Sequence, residues 1–165
     1  MFSSLFFVAA LSLFGTGHQD MTPKRMVAII NHVGTDISQQ DSVVTFAYQG
    51  VPLTLIYHEQ ADRMRLISPI MPLQEADQAA LTRALEANFH SVLDARYAVS
   101  DGIIYSSFIH PMSDLSEQLL LSAIHQVAVA KLTFGDEYSS GAFEFGDRDP
   151  DEKEKEKQLP RIQAI

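Results

Sequence analysis

The stretch DGIIYSSFIHPMSD, Asp101 to Asp114, decides how this chain is read. Asp-Gly supplies the two positive backbone dihedrals that a two-residue type I′ turn requires, and the runs on either side, Arg96 to Ser100 and Ile103 to Ile109, have strand composition. Asp114 with Glu117 three residues later fits a capping box, opening a helix through LSEQLLLSAIHQVAVAKLTF that Gly135 can close. A hairpin running into a capped helix is predicted. The same stretch holds Ser106, Ser107, His110 and Asp114, the residue types of a nucleophilic hydrolase. Strand spacing takes that arrangement apart. Ser106 and His110 share a face but lie about 13 Å apart at roughly 3.3 Å per residue, and Ser107 faces the other way. No G-x-S-x-G elbow exists in the chain. No residue is assigned a catalytic role, and the chain is read as a non-enzyme.

Upstream, PLQEADQAALTRALEANFHSVL, Pro72 to Leu93, is rich in helix formers and places Leu81, Leu85, Phe89 and Val92 close to one face, the expected buried one. Before it, SVVTFAYQGVPLTLIYHEQADRMRLISPI reads as three strands, about Val43 to Tyr48, Val51 to His58 and Arg63 to Ile70, joined by Gln49-Gly50 and a polar turn at 59–62. TPKRMVAIINHVG opens the domain with Thr22 as N-cap, Pro23 in the first turn and Gly34 as the stop. The expected fold is α+β, an antiparallel sheet of about five strands with helices on one side, in the order α-β-β-β-α-β-β-α.

The 165 residues carry a net charge of -9 and no cysteine. The charge argues against nucleic acid, because phosphate binding needs a concentrated Lys/Arg surface. Absence of cysteine removes disulfides, thiolate zinc and iron–sulfur clusters. The apolar run in MFSSLFFVAALSLFGTGHQD is shorter than the roughly 20 residues of a spanning helix. It reads as a signal peptide over 1–19, ahead of one domain over 20–145 and a charged flexible tail over 146–165. The expectation is a periplasmic or secreted protein with no transmembrane helix after signal removal. The alternative is a cytoplasmic protein translated from Met21.

Metal signals are weak. In YHEQAD, Asp62 stands where a zincin needs its second histidine, and the His90/Asp94 pair lacks further ligands. No P-loop or G-x-G-x-x-G is present, so neither a metal nor a cofactor is expected. Arg63, Arg65 and Arg96 are candidates for a small basic patch on the open sheet face, able to grip a carboxylate. Their other reading is that of charges on a wet face that discourage edge association. In the last helix Leu119, Leu120, Ala123, Ile124, Val127, Ala128, Ala130 and Leu132 exceed one apolar stripe. That helix is either sandwiched or offers Leu120, Ile124 and Val127 to a partner.

The element order, with VPLTLIYHEQADRMRLISPI before LTRALEANFHSVLDARYAVSDGIIYSSFIHP and a long apolar helix, resembles the YbjN-type domain and, more distantly, the type III secretion chaperone fold. The likeness covers about Thr22 to Phe145. It implies a non-catalytic, protein-binding, chaperone-like or regulatory domain; secretion chaperones of this fold are small acidic cytoplasmic dimers that hold partly extended effector segments. The leading expectation is therefore an exported YbjN-like domain with a polypeptide partner, met through apolar helix surface or strand addition at a sheet edge. A cytoplasmic chaperone-like homodimer is the first alternative. A small-ligand binder or enzyme around Arg63, Arg65 and His110 is the second.

Overall fold

A computed structural model describes residues 21–141, so the expected signal peptide over 1–19 and the charged tail over 146–165 lie outside the described residues. The elements are α1 (Pro23–Val33), β1 (Thr35–Gln40), β2 (Val43–Tyr48), β3 (Val51–His58), β4 (Arg63–Pro72), α2 (Gln78–His90), β5 (Arg96–Ser100), β6 (Ile103–His110) and α3 (Glu117–Thr133), with short 3₁₀ turns at Glu59–Ala61 and Leu73–Glu75. The six strands form one sheet in the order β1-β2-β3-β4-β6-β5, antiparallel throughout. The three α-helices of the described residues pack on one side. The expected α+β class and element order hold, with one more strand than predicted.

Strand alternation sorts the side chains. Val44, Phe46, Leu53, Leu55, Met64, Leu66, Ile104 and Phe108 face the helices and are buried. On the opposite face, which no helix among the described residues covers, the register aligns Val43, Ile56, Arg65 and Ile109 in one row across four strands. The Asp101-Gly102 turn takes the predicted form, with φ of 49° and 73°, and Gln49-Gly50, expected as a tight connection, has φ of 51° and 81°. Both residues of a type I′ turn need positive φ, and the second is a glycine each time.

Helix α3 crosses the sheet centre, resting chiefly on β4 and β6. Leu120, Ala123, Ile124, Val127, Ala128 and Ala130 are buried, Leu119 is half-buried and Leu132 is 66% exposed, so most of the apolar surplus is taken up inside the domain. Its N-cap is Ser116, whose Oγ accepts from the Leu119 N–H at 3.0 Å. The predicted Asp114 cap is thus displaced by two residues, and Glu117 falls in the first helical position instead of the third. Helix α1 docks beside α3, tied at the surface by an Arg25–Glu117 ion pair of 3.5 Å.

Two further expectations are corrected. The helix predicted from Pro72 begins at Gln78, capped by Asp77, because β4 runs on to Pro72 through an irregularity between Pro69 and Met71. The face of α2 is also reversed. Ala84 and Ala87 are buried, while Leu85 is 70% and Phe89 80% exposed. Of the four expected core residues only Val92, beyond the helix, is fully buried.

Candidate functional site

The hydrolase-like residues have structural partners. Ser106 is buried and its hydroxyl donates to the Val127 carbonyl at 2.8 Å, joining β6 to α3. Ser107 donates to the Arg96 carbonyl at 3.2 Å on the opposite sheet face. His110 Nδ1 lies 2.7 Å from the Pro111 carbonyl and its ring stacks on Phe108. In YHEQAD, His58 Nδ1 accepts from the Ala61 N–H as the cap of a 3₁₀ turn. Asp62, in the left-handed region at φ 48°, accepts from the Ser113 N–H and hydroxyl at 2.8 and 2.6 Å. Those two bonds hold its carboxyl below the usual carboxylate range. Among the described residues no group of three His, Asp or Glu side chains could hold a metal ion.

Three surfaces remain. The first is the open sheet face. Arg63 and Arg65 stand on β4, an inner strand, and Arg96 on the edge strand β5. The register puts Arg96 beside Ser107, Ser107 beside Ile67, and Arg65 between Ile56 and Ile109. Arg63 donates to the Asp62 carbonyl at 2.8 Å, and Arg96 to the carbonyls of Leu93 and Ala95. Among the described residues none of the three makes an ion pair. A shallow concavity of about 480 Å³ beside Arg63 and Arg65 is lined also by His58, Ile56 and Ile109. His110 is not part of it. Leu120, Ile124 and Val127, on the side of α3 that faces inward, are fully buried and form no part of an exposed surface.

The second surface was not anticipated. Between α2 and β5 runs an apolar groove of about 230 Å³ lined by Leu73, Leu81, Leu85, Tyr97, Val99 and Ile104, among others. Leu85 and Phe89 project from α2 beside it, and Val99 is 52% exposed. The signal was present in the sequence as large apolar residues on an alanine-rich helix; which face they occupied was not.

The third surface is the pair of sheet edges, which are unequal. On β5 the Tyr97 N–H donates to Asn88 Oδ1 at 2.7 Å and the Tyr97 carbonyl accepts from Asn88 Nδ2 at 3.1 Å. One amide side chain thus takes the outward backbone groups of Tyr97, and since outward positions alternate, this five-residue strand keeps only those of Val99. The other edge, β1, has the exposed, polar sequence TDISQQ and a register irregularity between Thr35 and Ser38, where Asp36 adopts φ 52°. No helix among the described residues is long and apolar enough to cross a membrane.

No protein-family model matches the chain, and no curated protein matches it. Solved structures do. The ExsC–ExsE complex is similar at 10% identity and a TM-score of 0.55, over 73% of this chain and 95% of that one. The Yersinia pestis type III secretion chaperone SycH, in complex with a stable fragment of YscM2, is similar at 15% identity and a TM-score of 0.52, over 69% of this chain and all of the other. These likenesses correct the expectation of a periplasmic or secreted protein with a signal peptide. The solved relatives of the fold include a secretion chaperone, the class for which the resemblance implied a cytoplasmic dimer, so the export reading does not stand. The YbjN type has no match behind it, and what is shown is coarser: a small α+β fold structurally related to type III secretion chaperone-like proteins.

Proposed function

We propose that this chain is a non-catalytic, chaperone-like domain that binds a polypeptide and acts in the cytoplasm as a dimer joined through α2 and β5. One observation carries the reading. Leu85, which lines an apolar groove, and Phe89, one turn on, lie open on α2, a helix face with no partner among the described residues. Exposed apolar patches of this kind mark interaction sites on soluble proteins, and a two-fold contact lets each copy place its Leu85 and Phe89 on the groove of the other. The fold supports the polypeptide-binding part, because the two solved structures described above, which share it, are of complexes with protein partners. Within that class, the YbjN-type likeness rests on the element order and on the passage from Asn88 to Phe108. The test is solution mass by light scattering at tens of micromolar. A dimer is expected for the native chain and a monomer of unchanged circular dichroism for the L85E/F89E variant. A native chain that stays monomeric throughout that range overturns the dimer.

A further inference from the structure

We infer that the open sheet face receives an extended, acidic polypeptide segment, whose carboxylates meet Arg63, Arg65 and Arg96 while its apolar side chains lie on Ile56, Ile67 and Ile109. This deepens the polypeptide-binding reading and rests on it. The first support is charge. The chain has 21 acidic against 12 basic residues, yet no residue that the register places on this face of β2 to β6 is acidic. A net charge of -9 disfavours an acidic partner on average, and an arginine face without acidic neighbours on its strands is a favourable place for such a partner to settle.

The second support is position. Charges that ward off edge-to-edge association belong on edge strands, but Arg63 and Arg65 are on β4, which has β3 on one side and β6 on the other. They follow one another on one face of one strand, about 7 Å apart at the strand repeat; the Asp62 carboxylate acts on Arg63 but is engaged by Ser113, and no carboxylate lies between the two on the strand. Like charges so placed repel, and a partner carboxylate relieves that repulsion. Arg96 lies two strands away, about 12 Å from Arg65 by strand spacing and register, a span of about four extended residues. Arg96 spends donors on two carbonyls and keeps others, since a guanidinium has five N–H groups. The row Val43, Ile56, Arg65, Ile109 sets apolar surface on both sides of an arginine, which suits an extended segment whose inward-facing side chains, every second residue, are carboxylate and apolar in turn.

The experiment uses the full chain and three fluorescent synthetic peptides of one length, with serine at every second position and isoleucine in turn with aspartate, asparagine or lysine at the positions between, with binding read by anisotropy. The aspartate peptide is expected to bind about tenfold or more tightly than the lysine peptide, and to weaken as salt is raised. The R63E/R65E variant should reverse that order, and R65Q should fall between if the double variant does not fold. Equal affinity for the aspartate and lysine peptides, or no effect of R63E/R65E on a folded protein, overturns the inference. So does a single-stranded oligonucleotide that binds this face more tightly than any peptide. If the asparagine peptide binds as well as the aspartate one, the acidic partner falls while polypeptide binding stands. If none of the three binds, the face is not a polypeptide site, and the α2–β5 dimer is judged separately by its mass.

Discussion

Gln126 shows how a single polar side chain can organise the helical layer. It is 1% exposed, its Oε1 accepts from the N–H groups of Asp94 and Ala95 at 3.1 Å each, and its Nε2 donates to Ser122 Oγ at 3.0 Å. The link between α2 and β5 has no regular structure to satisfy those amides, so α3 supplies the acceptor. Gln126→Leu keeps most of the volume and removes the acceptor. It is expected to cost about 2–3 kcal/mol in urea denaturation, the penalty for a buried unpaired donor. Two buried tyrosines nearby make a contrast. The Tyr97 hydroxyl donates to the Ala130 carbonyl at 2.8 Å, whereas the Tyr138 hydroxyl is buried with no hydrogen-bond partner among the described residues. Tyr97→Phe should therefore destabilise by about 1 kcal/mol and Tyr138→Phe should be neutral or stabilising. Burial, above all, pushes the Tyr97 phenol up to about 12. A raised acid means that the unfolded chain ionises first, so this contribution is intact below pH 10 and is lost as pH climbs from 10 towards 12. Thermal melts across that window should show a shallower alkaline decline in the Tyr97→Phe variant.

At the scale of elements, the strands and turns with strong local signals were legible in the sequence: β2 to β6, the Asp101-Gly102 and Gln49-Gly50 turns, and the Thr22 cap of α1, whose Oγ accepts from the Arg25 N–H. Strand β1 was not. All of TDISQQ is exposed except Ile37, which is half-buried, so its pairing with β2 leaves no apolar alternation to read. The face of α2 was misread for a tertiary reason. Leu81, Leu85 and Phe89 do share a helical stripe, but Asn88 bonds both backbone groups of Tyr97 and draws the helix close to β5, where only Ala84 and Ala87 fit. The packed side is set by the space the sheet edge allows, which hydrophobicity alone cannot report. Asn88→Ala follows directly as a test. It removes both bonds, with an expected loss of about 1–3 kcal/mol. It also bares the outward groups of Tyr97, so amide hydrogen exchange at Tyr97 should accelerate by more than the global loss of stability explains. Exchange that tracks global stability alone would show that Asn88 does not guard the edge.

Across the whole molecule, one-sided packing separates the two proposed surfaces. Helices cover the face bearing Leu53, Leu66 and Phe108, and the groove between α2 and β5 opens at that layer's margin. Arg63, Arg65, Ile56 and Ile109 stand on the other face, with the sheet backbone between. The sequence made the arginines visible as a candidate patch because alternation alone puts them on one face. It left the groove invisible, because that depends on how α2 seats. Surfaces so divided share no side chain and meet only at β5, whose Arg96 belongs to the open face and whose Val99 lines the groove, and sites with no common residue act nearly additively. The L85E/F89E monomer is therefore expected to bind the aspartate peptide with the affinity per protomer of the native dimer, within about twofold, and R63E/R65E should leave the dimer mass unchanged. Combining all four substitutions should give a monomer that binds the peptide no worse than R63E/R65E alone. If peptide affinity instead collapses with the dimer, the acidic segment must span both protomers, and the binding surface would be a property of the pair, with the open face of one copy continued by its partner.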